Sequence, residues 1–307
     1  MKMETNKIYN MDCLEGMKQL PNESINTIVT SPPYYKKLSY ESNFNSYLQY
    51  IEFMEEVARE SFRILQKEGY FFLNFANDKD NPIKSYEVLF KFLKAGFTLH
   101  DTIIWYRYNS QPCNTDRQLT PQFEFLFMMT KYPKNYHLNK EEVYQKYPEI
   151  FDTKNVGNVW KIAFNSGKEV KISMKKQNED ASNGLWGHSG FPLYIASVPI
   201  ILTSKVGDVI LDPFIGSGTT AVACIQTGRN FIGYEINKEY YDIAVGRILS
   251  AKSQTQLSNE SCPNGEFNMR YQETSEEVSQ IADATSDNAN IMRNSATPNL
   301  NCRRRIR

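Results

Sequence analysis

Apolar residues fall along this chain in two rhythms, short β-branched runs and longer helical repeats, and their alternation predicts a doubly wound α/β sheet. Residues 7–10 read as a short strand stopping before Asp12, and a helix then carries Leu14, Met17 and Leu20. Residues 25–29 form a β-branched run that ends at Ser31-Pro32-Pro33, where ladder hydrogen bonding cannot continue, so Ser31 sits at the C-terminal edge of a buried strand. Ile51, Met54, Val57, Ala58, Phe62 and Leu65 recur at helical spacing within residues 47–65. Strands at 70–75, 97–106 and 123–130, with a helix at 86–93, continue the alternation. The later part repeats it. A helix near 192–202 leads to a strand at 209–211, a glycine-rich turn at 212–220 opening a helix, a strand at 230–234 ending at Glu235, and a helix over 238–251.

Two stretches break the pattern. Residues 131–187 are polar, interrupted by Gly157, Gly167 and Gly184, and carry Lys154, Lys161, Lys168, Lys171, Lys175 and Lys176. They read as an inserted recognition region in which Lys171, Lys175 and Lys176 meet phosphates; solvated loops are the alternative. Residues 252–307 form a polar tail ending in Arg303-Arg304-Arg305-Ile306-Arg307, with the composition of a flexible segment. The chain thus divides into 1–130 and 188–251, two halves of one sheet domain, with 131–187 between them and 252–307 after.

Charge narrows the picture only a little. Lys plus Arg and Asp plus Glu both total 35, which excludes a uniformly basic coat but not a locally positive groove. The five cysteines, among them Cys13 and Cys224, show neither CxxC nor metal spacing. No apolar run reaches membrane-spanning length. Reduced thiols in a cytoplasmic protein, with no metal and no membrane, are the expectation.

Candidate chemistry lies at two strand ends. Gly216, Gly218 and Ala221 fit G-x-G-x-x-G/A after a strand, and Glu235 follows Gly216 by 19 positions at the next strand's end. A nicotinamide enzyme would look the same, and a purely structural glycine turn stays open. Asp212, immediately before the turn, shifts the balance. Its charge would oppose a pyrophosphate but can pair with the ammonium of S-adenosylmethionine, leaving Glu235 for ribose hydroxyls. The second site is Thr30-Ser31-Pro32-Pro33-Tyr34. Pro32 and Pro33 fix a turn without N–H donors, so carbonyls can accept from an amino group; Ser31 adds an acceptor, and Tyr34 a flat face for an extruded base. An ordinary structural turn would also read PPY.

TSPPY and DPFIGSGTT resemble the catalytic and cofactor motifs of amino-type DNA methyltransferases, and their order resembles the β group, a circularly permuted Rossmann-like S-adenosylmethionine-dependent fold. The resemblance runs discontinuously over about residues 7–251. It implies that Asp12 contacts the cofactor adenine amino group, that Phe214, Gly216, Ser217, Gly218 and Thr219 surround the methionyl moiety, and that Ile236 lies against adenine. Residues 188–192 resemble the stretch shaping the cofactor pocket, and Trp105 a position near the target pocket, where core packing is the other reading. Serine at the first motif position implies cytosine N4 as target, with adenine N6 the alternative. Double-stranded DNA, base flipping and a cognate restriction endonuclease follow from the same resemblance. Cys13 and Cys224 read as packed residues, not as the cysteine nucleophile of a C5 mechanism. An NAD-dependent oxidoreductase and a non-catalytic DNA-binding module are the readings from other classes.

Overall fold

The computed structural model describes residues 3–35, 44–77, 80–110, 119–132, 138–151, 153–163 and 191–261. The chain divides into Met1–Asn259, which carries every strand described, and Glu260–Arg307, of which only the end of a helix is described. The strands are β1 (Lys7–Tyr9), β2 (Ile25–Thr30), β3 (Leu65–Phe75), β4 (Thr98–Tyr106), β5 (Phe123–Thr130), β6 (Val159–Lys161), β7 (Val209–Asp212) and β8 (Asn230–Tyr234). The helices are α1 (Cys13–Lys18), α2 (Tyr47–Ile64), α3 (Lys84–Lys94), α4 (Lys140–Lys146), α5 (Leu193–Thr203), α6 (Thr219–Thr227) and α7 (Lys238–Ser261).

All eight strands join one sheet in the order β1-β8-β7-β2-β3-β5-β4-β6. β5 pairs antiparallel with β3 and β4, and every other pairing is parallel. Strands this apolar need cover on both faces. Along β3, Tyr70 and Phe72 point into one apolar cluster and Phe71, Leu73 and Phe75 into the other, which is the alternation a pleat imposes. Helices α1, α2 and α3 pack over the second cluster, and α4 to α7 over the first. α2 follows its amphipathic pattern, burying Tyr50, Ile51, Met54, Val57, Ala58 and Ile64, while Ser46 caps it by accepting from the Gln49 N–H at 3.2 Å. α5 is apolar all round and buries Ile195 through Leu202, as a helix with no polar face must.

Four elements depart from the sequence expectation. β3 begins at Leu65, directly after α2, because its first residues pair with Ile25 before the apolar run starts. Within residues 131–187, α4 and β6 belong to the main unit: Val143, Tyr147, Phe151, Val156, Trp160 and Ile162 all enter a core cluster. α7 continues ten residues past the expected end at residue 251. Trp105 is a core residue, its indole N–H donating to the Ile162 carbonyl at 2.9 Å. No helix among the described residues is long and apolar enough to cross a membrane.

Candidate active site

Parallel strands β8, β7 and β2 are neighbours, so their C-terminal ends open side by side on one edge of the sheet, where ligands enter doubly wound folds. The two sequence motifs sit on two of these ends and are joined directly. The Thr30 hydroxyl donates to Asp212 Oδ1 at 2.6 Å across 182 positions of sequence. Asp212 is 1% exposed and also accepts from the Phe214 N–H at 3.0 Å and the Thr220 hydroxyl at 2.6 Å. No cation lies within ion-pair distance among the described residues. Burial without a counter-ion pushes its carboxyl up to about 6, and the three donors only moderate that rise.

The glycine turn between β7 and α6 is shaped by two left-handed residues, Gly216 at φ +52° and Gly218 at φ +88°. A Cβ on Gly218 would lie 3.0 Å from Ala244 Cβ of α7, whereas one on Gly216 would meet only the Phe214 carbonyl, at 3.9 Å. The backbone at Gly216 is therefore open for close approach by a ligand. Gly218 caps α6 with no side-chain acceptor, so no cap oxygen occupies the N–H groups of its first turn. Arg247 of α7 clamps the turn, donating to the Ser217 carbonyl at 2.7 Å, Ser217 Oγ at 2.9 Å and Thr219 Oγ1 at 3.3 Å.

At the end of β8, Glu235 Oε1 accepts from the Asn237 N–H at 2.7 Å, and the Glu235 N–H donates to the Tyr9 carbonyl at 3.1 Å. Burial pushes the Glu235 carboxyl up to about 7 against the pull of backbone N–H groups, including that of Gly216. Asn10 donates to the carbonyls of Glu235 and Ile236, which brings the β1 end and Asp12 to this corner. Asp12 Oδ1 caps α1 by accepting from Leu14 and Glu15, and Oδ2 has no partner among the described residues. Ile236 is 61% exposed, an apolar surface at the cleft that packs on nothing in the protein core. Phe214 stands edge-on to Phe53, with ring centroids 6.0 Å apart.

Ser31, Pro32, Pro33 and Tyr34 leave β2 as irregular backbone. Tyr34 packs on Phe75 with ring centroids 4.5 Å apart, and its hydroxyl lies 3.4 Å from Ser31 Oγ. Burial and then the nearby Glu124 carboxylate push the Tyr34 hydroxyl well above the usual phenol range, so it stays neutral. Glu124 is itself held by Arg107 at 2.9 Å. Cys13 and Cys224 are buried free thiols, each pushed up chiefly by burial, and therefore inert.

The structure thus gathers Asp212, Phe214, Gly216, Ser217, Gly218, Thr219 and Ser31 to Tyr34 at adjoining strand ends, with Asp12, Glu235 and Ile236 at the next. Lys171, Lys175 and Lys176, together with residues 188–190, lie outside the described residues. Sequence reasoning placed Thr30 and Thr220 in the motifs without giving them a role, and missed Asn10 and Arg247. Arg247 had a signal: it lies three residues after Ala244 on one helix, so a helix face touching the turn through Ala244 also presents Arg247.

Comparison with known proteins agrees with this geometry. Residues 25–246 match the N6_N4_Mtase family, described as DNA methylase. The chain is similar to the Type II methyltransferase M.Cfr9I of Citrobacter freundii, 27% identical over 278 residues that cover 78% of this chain and 87% of the relative. It is also similar to the DNA adenine methyltransferase YhdJ of Escherichia coli (strain K12), 27% identical over 264 residues covering 80% and 83%. Its fold is like that of the PvuII cytosine-N4-specific DNA methyltransferase, with a TM-score of 0.63 at 21% identity over 84% of this chain and 93% of that one. The Thermus thermophilus protein TTHA0409, solved with S-adenosyl-L-methionine, superposes with a TM-score of 0.54 at 25% identity, covering 80% and 95%. With a match spanning most of its sheet and both motifs, the chain belongs to the N6_N4_Mtase family of DNA methylases.

Proposed function

We propose that this DNA methyltransferase methylates cytosine at N4, acting on a base extruded from double-stranded DNA. The observation that carries the reading is the Thr30 to Asp212 hydrogen bond, which fixes the amino-accepting motif beside the cofactor turn. Its methyl donor is S-adenosylmethionine, and three features of the cleft fit that molecule: the open backbone at Gly216, the exposed apolar Ile236, and a buried carboxylate without a counter-ion beneath the turn. Bound there, the sulfonium supplies an electrophilic methyl group. Asp212 would meet its positive charges through the field of a buried anion, because its two oxygens are already occupied by Thr30, Thr220 and Phe214. Glu235 would accept from ribose hydroxyls and Asp12 Oδ2 from the adenine amino group, with Ile236 against the adenine face. Phe214, Ser217 and Thr219 would flank the methionyl chain.

On the base side, Ser31 Oγ and the Pro32 carbonyl accept the two amino hydrogens. That turns the nitrogen lone pair out of conjugation with the ring and toward the methyl group. The Tyr34 ring, backed by Phe75, offers its other face to the flipped base. Serine at position 31 supports cytosine over adenine, because the amino-type enzymes that this motif resembles commonly carry Ser there for cytosine N4 and Asp or Asn for adenine N6. The Type II names of several relatives support a restriction-modification setting in which a cognate endonuclease is excluded from the same sites. Purified protein incubated with unmodified genomic DNA, followed by nucleoside digestion and chromatography with mass detection, is expected to accumulate N4-methylcytosine. Accumulation of N6-methyladenine alone would reassign the base and leave the enzyme class intact.

A further inference from the structure

The residues after Thr30 have left the sheet, and two successive prolines contribute no N–H, so regular secondary structure does not hold the acceptor carbonyls in place. A side chain does so from behind. Tyr50, in the first turn of α2 and 0% exposed, donates its hydroxyl to the Pro33 carbonyl at 2.9 Å. Its ring is wedged among Phe44, Tyr35 and Tyr47, with centroids 5.4, 5.7 and 6.0 Å away. Lys84, 4% exposed at the start of α3, brings its ammonium within 3.5 Å of the Tyr35 carbonyl, a second tie two residues further along.

One torsion makes the first tie matter for chemistry. The Pro33 ring locks its φ, so the Pro33 and Pro32 carbonyl planes are separated by a single soft angle, the ψ of Pro33. Pinning the Pro33 oxygen sets that angle, and with it the direction of the Pro32 oxygen. The Pro33 carbonyl is occupied, while among the described residues the Pro32 carbonyl accepts from nothing.

We propose that Tyr50 is a positioning residue for methyl transfer, its hydroxyl holding the Pro33 carbonyl so that the Pro32 carbonyl is aimed at the target amino group. This rests on the amino-methyltransferase reading above but not on the choice of base. Tyr50→Phe removes one oxygen and keeps the ring that packs the cluster. With protein in excess over sites in genomic DNA and a labelled methyl donor, its transfer rate is expected to fall about tenfold, or ~1.4 kcal/mol in the transition state. Affinities for S-adenosylhomocysteine and DNA should stay within about twofold, since neither ligand's binding uses that carbonyl. Tyr47→Phe is the control, because its hydroxyl serves Glu87 and Asn81 in the same cluster without touching the motif; its rate should be unchanged. A full rate for Tyr50→Phe, or equal losses in both variants, would overturn the proposal. Wild-type protein that methylates no DNA would instead bring down the underlying reading, and this inference with it.

Discussion

Asp212 lies under the glycine turn with three donors and, among the described residues, no cation, so an asparagine in its place would turn one amide N–H toward a group that also donates. Asp212→Asn should therefore cost about 1–3 kcal/mol of stability from the mismatched donor and, separately, weaken S-adenosylmethionine binding by about tenfold as the anion disappears. Denaturant titration and calorimetry check the two effects; unchanged affinity would remove Asp212 from the cofactor's field. Glu235 gives a pH signature. Its folded-state carboxyl is raised to about 7 from 4.5, so in the free protein its protonated form contributes stability that is complete below about 4.5 and lost as pH rises through 7. Ribose hydroxyls donating to this carboxylate favour the ionised form. S-adenosylhomocysteine affinity should accordingly climb as pH rises from about 5.5 to 7.5, with proton release on binding near pH 6.5, and Glu235→Gln should flatten the profile. By the proposed mechanism Ser31→Ala removes an acceptor for the reacting amino group, together with the Oγ contact to the Tyr34 hydroxyl at 3.4 Å. It should lower transfer about tenfold to a hundredfold at unchanged cofactor affinity, read by single-turnover kinetics beside calorimetry.

At the scale of elements, the junction between α6 and α7 is a tight constraint on the glycine turn. Gly218 combines φ +88° with only 3.0 Å between a would-be Cβ and Ala244 Cβ. Gly218→Ala should destabilise by about 2 kcal/mol or more, from left-handed strain and overpacking together, and loosen the Arg247 clamp as α7 is pushed outward. Thermal denaturation with and without S-adenosylmethionine would show both effects. Most of this architecture was legible from periodicity, because strands buried on both faces and amphipathic helices leave strong patterns; β5 and β8 begin and end at the residues expected. The misses have physical causes. Periodicity carries no direction, so nothing in FEFLFMMT marks β5 as the reversed strand. β6 is three residues long with only Trp160 buried, too short to show a period, and its stability comes from pairing with β4. The pairing of the motifs was visible as chemistry, yet the Thr30 to Asp212 bond that joins them spans more than half the chain and has no local signature.

The whole molecule carries equal numbers of acidic and basic groups, so affinity for a polyanion has to come from how charge is arranged rather than how much there is. The segment with Lys171, Lys175 and Lys176 is the proposed source. Replacing all three with glutamine should weaken DNA binding and reduce the slope of log affinity against log salt by up to about 3, near 0.9 per lost phosphate contact, with sequence preference unchanged. Fluorescence anisotropy at several salt concentrations would test it, and an unaltered slope would return these lysines to ordinary surface charge. The strand order has a different consequence, one for the making of the protein. Among the described strands β1 pairs with β8 alone, and β7 fills the gap between β8 and β2, so the β1 flank of the sheet waits for strands encoded roughly 200 to 220 residues after β1. At a translation rate of roughly 5–20 residues per second, β1 and the apolar flank of β2 stay unpaired for about 10–45 s after synthesis, an open edge that invites association with other chains. A nascent chain arrested before β7 should therefore depend on chaperones to stay in solution. It should also be unable to bind cofactor, so the cell never meets a half-made enzyme that can mark its DNA.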